Sequence, residues 1–261
     1  MPFEQPNVFS RIRGAAAVNR HSFEAIILAG GLGTRHRSIV QEQPKAMVDV
    51  GGRPFLELLL DRMAHNAVVR VILATGHGHE PIERHFRHRW KGMEICYSVE
   101  TRPLGTGGAL WKALNLATLD DVFVFNGDTY FEVDLPRLYK VHLDTRADIT
   151  LALKPMRNFD RYGTVEVKDG RIVGFREKAG VQEGLINGGI YLMNRPAIRR
   201  FVVPEEFSLE TGFLETKISE IKLAAFIQDG YFIDIGIPDD YSRAQRELPS
   251  VCGTVAPPPR D

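Results

Sequence analysis

Residues 24–35 read EAIILAGGLGTR and pass from an apolar run directly into three glycines and an arginine. The run Glu24–Ala29 is continuous and of strand length, as expected for a parallel strand buried on both faces. Glycine after such a strand permits positive φ angles and close approach of the backbone to a ligand, so that successive N–H groups can face phosphate oxygens. A glycine-rich turn without a ligand explains an isolated GGxG equally well. The stretch therefore predicts a buried strand and leaves a phosphate loop as one of two interpretations.

The glycine segment differs from the two best-known phosphate loops. The pattern GxxxxGK[ST] is absent, because Arg35 and His36 occupy that region. The dinucleotide pattern GxGxxG is absent as well, because His36 stands where the third glycine is required. The second departure argues against an NAD-dependent oxidoreductase.

Working outward, strands and helices alternate up to residue 134. The predicted strands are Val69–Thr75, Met93–Val99 and Asp121–Asn126, and the predicted helices are Pro54–Asn66, Glu80–Trp90 and Gly107–Ala117. Strands that alternate with helices of this length predict an α/β fold with a Rossmann-like, mostly parallel mixed sheet flanked by helices.

The pattern changes after residue 134. Short predicted strands follow one another and a helix closes the chain: Asp148–Leu153, Gly163–Val167, Arg171–Glu177, Leu185–Met193, Leu223–Ile227 and the helix Pro238–Leu248. We therefore predict one domain over residues 23–248, with a nucleotide-binding part at 23–134 and a β-rich part at 135–248. Residues 1–22 are predicted to form an arm and residues 249–261 a flexible tail.

Composition excludes several classes of protein. The 261 residues carry 33 Lys and Arg against 33 Asp and Glu, and this balance argues against an extended nucleic-acid surface. No apolar run approaches the roughly 20 residues of a membrane span, and the apolar core Ala15–Val18 is too short for a signal peptide. Only Cys96 and Cys252 are present, which indicates a reducing compartment. We predict a soluble cytoplasmic protein with no nucleic-acid or membrane partner. A homo-oligomer stays open.

Six motifs in order make the chain resemble the sugar-1-phosphate nucleotidyltransferases. They are LAGGLGTR (28–35) with Pro44-Lys45 after it, PLGTGG (103–108), Asn126-Gly127-Asp128, Glu177-Lys178, Asn187-Gly188-Gly189 and Asp234-Ile235-Gly236. The family joins a sugar 1-phosphate to an NTP and releases pyrophosphate. The segment after Arg35, HRSIV, departs from the L-x-P-L-T that is frequent in the family. This variant, with PKAM and PLGTGG, resembles most the D-glycero-α-D-manno-heptose 1-phosphate guanylyltransferases.

The resemblance implies a nucleotide site and two catalytic cations. The nucleotide-binding residues are expected to be Leu28, Ala29, Gly30, Gly31, Gly33, Thr34, Arg35, Glu100, Gly105, Thr106 and Gly107. Attack of a sugar phosphate on an NTP brings two polyanions together, so positioning and charge neutralisation are the main work of the protein. Arg35 can contact several triphosphate oxygens with its planar guanidinium, and the resemblance places Lys45 near the α-phosphate or the leaving group. Two surface cations are the alternative interpretation.

Two aspartates are predicted to hold Mg²⁺. Asp128 follows a buried strand, and Asp234 lies in the short apolar strand Gly230–Gly236. Carboxylates from distant segments that converge on phosphates are typical of a Mg²⁺ site. Each aspartate alone could equally be a residue that caps a turn.

The sugar side is predicted from the second half of the chain. By resemblance, Lys178 holds the sugar 1-phosphate, Glu177 meets sugar hydroxyls, and Asn187 and Gly188 face the sugar. Gly163 is expected to permit a close approach in the same region. A solvated charge pair on a β-hairpin is the alternative for Glu177 and Lys178.

Glu100 is expected to select the base. By resemblance, the stretch from Glu100 to PLGTGG reads the nucleobase, where uridylyl- and thymidylyltransferases often carry Gln. A carboxylate can accept from the two adjacent donors of guanine, whereas uracil and thymine would turn a carbonyl toward it. GTP and a sugar 1-phosphate are therefore the predicted substrates, with heptose 1-phosphate preferred. A mannose 1-phosphate guanylyltransferase, another enzyme of this class and a non-catalytic nucleotide-sugar-binding subunit are the alternatives.

One further cluster is rejected as a metal site. His77, His79, His85 and His88 lie near Glu80 and Glu83, but their spacing does not match that of zinc ligands.

Overall fold

A computed structural model describes residues 22–31, 44–76, 78–177 and 180–253. The strands are β1 Phe23–Leu28, β2 Asp49–Val50, β3 Arg53–Pro54, β4 Val68–Thr75, β5 Arg89–Trp90, β6 Met93–Val99, β7 Asp121–Asn126, β8 Thr129–Phe131, β9 Ile149–Phe159, β10 Thr164–Lys168, β11 Arg171–Arg176, β12 Val181–Asn194, β13 Leu223–Ile227 and β14 Phe232–Asp234. The α-helices are α1 Phe55–His65, α2 Glu80–Phe86, α3 Gly105–Ala113, α4 Leu135–Thr145, α5 Arg195–Arg199 and α6 Pro238–Val251. A 3₁₀ turn covers Lys45–Met47 and a π turn covers Glu210–Leu214.

Ten of these strands form one mixed sheet in the order β10-β11-β13-β9-β12-β7-β1-β4-β6-β5. The four neighbours β7, β1, β4 and β6 are parallel, as the alternation of strands and helices predicted. Parallel strands connected by helices place their carboxyl ends at the same edge of the sheet. This edge is where the nucleotide-side motifs of the sequence meet.

The second half of the chain adds mainly antiparallel pairs to the same sheet. β12 runs antiparallel to both β7 and β9, and β10 and β11 form the predicted hairpin. The β9–β12 register shifts between Asn187 and Tyr191. The four steps along β12 between these residues lie opposite only two steps along β9, from Leu153 to Leu151. This bulge lies at Asn187-Gly188-Gly189 and shortens the path of β12.

A small second sheet joins the two halves. β8 and β14 are antiparallel and pair Thr129 with Asp234. The sequence predicted β14 but not β8, because Thr129–Phe131 is too short to show a period. The β8–β14 pair brings Asp128, which directly precedes β8, beside Asp234.

Helix boundaries differ from the prediction by more than one residue at three helices, of which α3 covers Gly105–Ala113 instead of Gly107–Ala117. The helix that begins at Glu80 ends at Phe86 instead of Trp90, because Arg87 has a φ of 52° and residues 89–90 turn back to pair with β6. At the C-terminus, α6 reaches Val251, three residues into the predicted tail, and Pro249 lies against Gly51. Residues 1–21 of the predicted arm and residues 254–261 lie outside the described residues.

The core lies on both faces of the large sheet. Ala25, Ile27 and Phe123 point into one cluster, whereas Ile26 and Val124 point into the other. Successive side chains of β1 and β7 therefore alternate between two buried layers, as expected for central parallel strands. Among the helices of the described residues, none is both long enough and apolar enough to cross a membrane.

Candidate functional site

A cavity of about 990 Å³ opens at the carboxyl edge of the parallel strands. Its described walls are Leu28–Gly31 after β1, Lys45 and Ala46, Gly76 and Gly78–Glu80 after β4, Val99–Pro103 after β6, Gly105, Thr106 and Ala109 of α3, and Asn126–Asp128 after β7. The segments after the strands stay paired with their neighbours, since the amides of Ala29, Glu100 and Gly127 donate to the carbonyls of Ala74, Thr75 and Leu28. Backbone hydrogen bonds that continue from the sheet therefore hold this wall in place.

Gly127 is required where the Asn-Gly-Asp segment crosses β1. A Cβ at this position would lie 2.5 Å from the carbonyl oxygen of Leu28 and 3.1 Å from the Cα of Ala29. Both obstacles are backbone atoms that cannot rotate away. The glycine therefore lets the segment pass β1 closely and deliver Asp128 to the cavity.

Lys45 and Asp128 meet at the floor of this cavity. The Nζ of Lys45 donates to Oδ2 of Asp128 over 2.6 Å, and the side chains are 18% and 38% exposed. The 3₁₀ turn that carries Lys45 packs against α1, and Ala46 is buried in the core. The predicted catalytic lysine is thus held beside the predicted metal ligand.

Asp234 completes the group. Its Oδ1 accepts from the amide of Gly236 over 2.7 Å, and the amide of Ile235 donates to the carbonyl of Asp128. A Cβ at Gly236 would lie 2.7 Å from Nζ of Lys45 and 2.8 Å from Oδ1 of Asp234, so only glycine leaves this space open. The structure therefore brings Lys45, Asp128 and Asp234 together, although they are 83 and 106 residues apart in the sequence.

Electrostatics at Asp234 favour an added positive charge. Burial, followed by the neighbouring charge of Asp128, raises the pKa of Asp234, while the Gly236 amide and Lys45 lower it. Each of the two carboxylates makes ionisation of the other less favourable, and a cation between or beside them stabilises the state in which both are ionised. No cluster of three or more His, Cys, Asp or Glu side chains suited to a metal occurs in the described ranges. The pair fits a hard cation that takes its other ligands from phosphate and water.

Glu100 lines the cavity and also holds its wall. One carboxylate oxygen, Oε2, accepts from the amide of Leu104 over 3.0 Å, and a Cβ at Gly30 would lie 3.3 Å from the other oxygen. Burial raises the pKa of Glu100, whereas the Leu104 amide and Lys112 lower it. Sequence analysis did not anticipate the bond to Leu104, which fixes the turn that begins α3.

The PLGTGG segment packs tightly against the segment at Phe207. The amide of Gly107 donates to the carbonyl of Phe207 over 2.9 Å, and the amide of Phe207 donates to the carbonyl of Leu104 over 3.0 Å. A Cβ at Gly105 would overlap the carbonyl of Phe207, and one at Gly107 would overlap its ring. Part of the glycine content of this motif is thus explained by packing. Gly105 and Thr106 line the cavity, whereas Gly107 is buried.

Thr106 is already engaged through its hydroxyl. Its Oγ1 donates to Oε2 of Glu210 over 3.2 Å and accepts from the amide of Leu209 over 2.8 Å. Any ligand contact of Thr106 therefore falls to its backbone and methyl group, or must share the hydroxyl.

On the predicted sugar side, Asn187 and Gly188 lie in the β12 bulge. Asn187 donates from Nδ2 to the hydroxyl of Tyr191 over 2.7 Å and accepts at Oδ1 from the amide of Gly189 over 3.0 Å. A Cβ at Gly188 would overlap the ring of Phe131. Gly188 thus packs on β8, and the bulge lies next to the strand that follows Asp128.

The other predicted sugar residues occupy the hairpin side. A Cβ at Gly163 would lie 2.6 Å from the carbonyl oxygen of Arg176, which explains this glycine by strand packing, and Glu177 is exposed. Neither these two residues nor Asn187 and Gly188 are part of the described cavity wall. Gly33, Thr34, Arg35 and Lys178 lie outside the described residues.

Sequence reasoning missed Asn126 as an individual site residue. Asn126 ends β7 and lines the cavity, and its Oδ1 is buried without a hydrogen-bond partner among the described residues. A Cβ at Gly189, which has a φ of 73°, would lie 3.0 Å from Nδ2 of Asn126. The motif Asn-Gly-Asp gave a signal for Asp128 alone, because the contact with Gly189 comes from distant sequence.

The histidines divide between structural and cavity positions. Nε2 of His85 lies 2.6 Å from Oε1 of Glu57, and Nε2 of His79, which lines the cavity, lies 3.6 Å from Oε1 of Glu83. His77 is outside the described residues.

Comparison with known proteins matches residues 24–251 to the family described as Nucleotidyl transferase. A D-glycero-alpha-D-manno-heptose 1-phosphate guanylyltransferase of Aneurinibacillus thermoaerophilus is 49% identical over 225 residues, covering 86% of this chain and 98% of that protein. The protein of the same name from Campylobacter jejuni is 43% identical, with 84% and 96% covered. The crystal structure of HddC from Yersinia pseudotuberculosis complexed with GMP-PN superposes with a TM-score of 0.77 at 33% identity, covering 87% of this chain and 99% of that one. Mannose-1-phosphate guanylyltransferases match at lower identity.

Proposed function

This chain belongs to the nucleotidyl transferase family, and we propose that it joins GTP to D-glycero-α-D-manno-heptose 1-phosphate and releases pyrophosphate. The observation that carries the proposal is the group Lys45, Asp128 and Asp234 beside a cavity of about 990 Å³ that is lined by the glycines after β1. The 49% identity to a heptose 1-phosphate guanylyltransferase supports the choice of sugar and base.

In this reaction a phosphate oxygen of the sugar 1-phosphate attacks the α-phosphorus of GTP. A new P–O bond forms, and the bond between the α-phosphorus and the bridging oxygen breaks to release pyrophosphate. Negative charge accumulates on the α-phosphate oxygens and on the leaving group, where fixed cations lower the barrier. Lys45, held beside Asp128, supplies one such charge, and we assign a second to Arg35 at the end of the glycine segment.

The backbone of the cavity wall is suited to the nucleotide. The amides of Gly30 and Gly31 follow β1, and a Cβ at Gly31 would meet no atom of the described residues within 4 Å. We assign Leu28–Gly31, Gly33 and Thr34 to phosphate and ribose contacts. We assign Gly105, Thr106 and Gly107 to the base side, where Gly105 and Thr106 line the cavity and Gly107 is buried.

We assign base selection to Glu100. Its Oε2 retains a second lone pair beside the bond from Leu104, and Oε1 accepts no hydrogen bond from any other described residue. The carboxylate can therefore still accept from N1–H and the exocyclic amine of guanine.

Asp128 and Asp234 would hold Mg²⁺. Enzymes of this family generally use a divalent metal, and two carboxylates with phosphate and water oxygens form a donor set typical of Mg²⁺. Such an ion supplies charge neutralisation and orientation of the triphosphate when it is bound. Because Lys45 is paired with Asp128, metal binding at Asp128 requires the two cations to share that carboxylate.

The metal assignment predicts a change in metal activation. Asp128→Asn and Asp234→Asn should each raise the Mg²⁺ concentration for half-maximal activity by about tenfold, because each replaces a charged ligand by a neutral amide. Mg²⁺ titrations at saturating substrates measure the shift, with Asp144→Asn on the exposed face of α4 as the matched control. Unaltered activation curves in both site variants would remove the two-carboxylate site.

We assign the sugar 1-phosphate to the second half of the chain. Lys178 is proposed to hold its phosphate, and Glu177, Asn187, Gly188 and Gly163 to form the sugar side. The position of the β12 bulge next to β8, which Asp128 directly precedes, supports this assignment.

Free thiols at Cys96 and Cys252 support an action in the cytoplasm.

A pyrophosphate-release screen tests the function. Purified protein is given each of the four NTPs with a panel of sugar 1-phosphates that includes heptose and mannose. GTP with heptose 1-phosphate should give the highest kcat/KM. Preference for mannose 1-phosphate would replace the sugar assignment. Tight binding of GDP-sugars without turnover would instead identify a nucleotide-sugar-binding subunit.

A further inference from the structure

A chain of side-chain hydrogen bonds runs from the nucleotide side of the site to the sugar side. It begins at Thr106 in the cavity wall, passes through Glu210 and Tyr191, and ends at Asn187 in the β12 bulge. Thr106 and Glu210 are 104 residues apart, and Glu210 and Tyr191 are 19 residues apart. The chain therefore joins three segments that sequence alone does not connect.

Tyr191 is the buried centre of this chain. It is fully buried, donates from its hydroxyl to Oε1 of Glu210 over 2.9 Å, and accepts from Nδ2 of Asn187 over 2.7 Å. Full burial, followed by the charge of Glu210, raises the pKa of Tyr191 well above its ordinary value. The hydroxyl thus stays protonated, and its donor and acceptor roles are fixed.

The β12 bulge makes the contact between Asn187 and Tyr191 feasible. In a regular strand, residues four apart are separated by about 13 Å. Here the same four steps cover only two positions of β9, since Asn187 pairs with Leu153 and Tyr191 with Leu151. The bulge therefore serves to bring an amide on β12 onto a tyrosine of the same strand.

The contacts of Asn187 determine what it can offer a ligand. Its Nδ2 donates one hydrogen to Tyr191, and its Oδ1 accepts from the amide of Gly189. One amide hydrogen and one lone pair remain. If Tyr191 lacked its hydroxyl, the amide could turn about its last torsion and these remaining groups would lose their direction.

Glu210 anchors the other end of the chain. Its Oε2 accepts from the hydroxyls of Thr106 and Ser208, over 3.2 and 3.3 Å, while Oε1 accepts from Tyr191. Glu210 begins the π turn Glu210–Leu214, an element that is rare and often found at functional sites. The mechanism proposed above uses neither Glu210 nor Tyr191.

We propose that Tyr191 and Glu210 are positioning residues that orient Asn187 toward the sugar 1-phosphate. This inference rests on the proposed function, because it takes Asn187 as a sugar-side residue. Neither residue touches the reacting atoms. Their loss weakens sugar 1-phosphate binding and leaves GTP binding and the chemical step largely in place.

Steady-state kinetics on Tyr191→Phe tests the proposal. Phenylalanine fills the same buried volume and removes only the hydroxyl. We expect the KM for the sugar 1-phosphate to rise about tenfold, the effect of one misdirected hydrogen bond, with the KM for GTP and kcat within about threefold of wild type. Tyr231→Phe is the matched control, because the Tyr231 hydroxyl donates to Oε2 of Glu247 over a similar 2.8 Å. It should leave both KM values unchanged.

Two substitutions at Glu210 give an independent measurement. Glu210→Gln retains an acceptor for the Tyr191 hydroxyl and should keep the KM for the sugar 1-phosphate within about threefold of wild type. Glu210→Ala removes the acceptor and should raise that KM about tenfold. Because Glu210→Ala also removes packing, a rise confined to the KM for the sugar 1-phosphate, with the KM for GTP within about threefold of wild type, separates orientation of Asn187 from a general loss of packing.

The outcomes are distinguishable from failure of the proposed function. An unchanged sugar 1-phosphate KM in Tyr191→Phe and Glu210→Ala, or an equal rise of the GTP KM, would overturn the positioning role. Absence of pyrophosphate release by the wild type with every sugar 1-phosphate would overturn the proposed function itself. The ratios of variant to wild type apply to whichever sugar 1-phosphate the wild type uses.

Discussion

The two halves of this molecule build their sides of the site in different ways. In the first half, the cavity wall consists of segments that leave β1, β4, β6 and β7 at the same edge of a parallel sheet. In the second half, Asn187 and Gly188 lie in a bulge of β12, and Gly163 and Glu177 directly flank the β10–β11 hairpin. The first arrangement follows from strand direction, whereas the second depends on contacts between distant segments.

The group Lys45, Asp128 and Asp234 belongs to neither half alone. Lys45 lies on a 3₁₀ turn, Asp128 follows β7, and Asp234 ends β14. The β8–β14 pair holds the two aspartates together. If this junction is where both substrates react, its loss should affect turnover more than any change within one half.

Lys45→Ala should give the largest effect. Removal of one preorganised charge-stabilising group typically lowers turnover by about 10²–10³-fold, and we expect a loss of that size with both substrates saturating. The measurement is kcat for pyrophosphate release. Lys140→Ala removes a lysine from a Lys–Asp pair on the exposed face of α4 and should leave kcat unchanged. A folded Lys45→Ala enzyme with near-normal kcat would show that the junction is not the reaction centre.

Glu100→Gln should affect the nucleotide side alone. We expect the ratio of kcat/KM for GTP over UTP to fall about tenfold or more, because an amide no longer offers two acceptors to guanine. The KM for the sugar 1-phosphate and the Mg²⁺ dependence should not change. If wild type and variant show equal selectivity, Glu100 does not select the base, and its role is limited to accepting the hydrogen bond from the Leu104 amide.

The difference in stability between Glu100→Gln and wild type should depend on pH. Burial raises the pKa of Glu100 above its ordinary 4.5, so the folded protein binds this proton more tightly than the unfolded chain does. The contribution of Glu100 to the free energy of unfolding is therefore fully present below pH 4.5 and is lost as the pH rises through the raised pKa. Relative to wild type, Glu100→Gln should be more stable at pH 7 than at pH 4. Thermal melts at the two pH values measure this difference, and the opposite trend would show that the carboxylate is stabilised in the fold.

The contrast between the halves also explains what sequence could predict. Strand-end residues such as Gly30, Glu100 and Asp128 follow apolar runs whose length and order are visible in the sequence, and the structure places all three in the cavity wall. The ranges of β6, β7 and β13 agree residue by residue with the prediction. Runs of β-branched and aromatic residues bounded by turns carry this information locally.

Long-range contacts were not predictable in the same way. Nothing near Glu210 indicates that it bonds to Tyr191 and Thr106, and the three residues of β8 are too short for a periodic signal. The helix predicted to reach Trp90 stops at Phe86, because the indole of Trp90 donates to Asp61 of α1 and residues 89–90 pair with β6. Tertiary contacts decide each of these features.

Three glycine substitutions give the smallest and most discriminating effects. Gly127→Ala places a Cβ against the backbone of β1, and Gly188→Ala places one in the ring of Phe131, which is buried and cannot move aside. Overpacking of this kind typically costs about 1–3 kcal/mol of unfolding free energy, and we expect both variants to lose that much in urea denaturation. A Cβ at Gly31 would meet no atom of the part of the chain that the structure describes within 4 Å, so Gly31→Ala should stay within about 0.5 kcal/mol of wild type.

Kinetics on two of these variants, Gly188→Ala and Gly31→Ala, separates the halves. Gly188→Ala must displace the β12 bulge, so it should raise the KM for the sugar 1-phosphate more than that for GTP. Gly31→Ala should do the reverse, since a methyl group in the open glycine segment obstructs only a ligand that approaches its backbone. If Gly31→Ala retains both wild-type stability and a wild-type KM for GTP, the segment after β1 is a glycine-rich turn that contacts no nucleotide at this position. If Gly188→Ala instead raises the KM for GTP, the bulge belongs to the nucleotide side and the division of the site between the two halves is wrong.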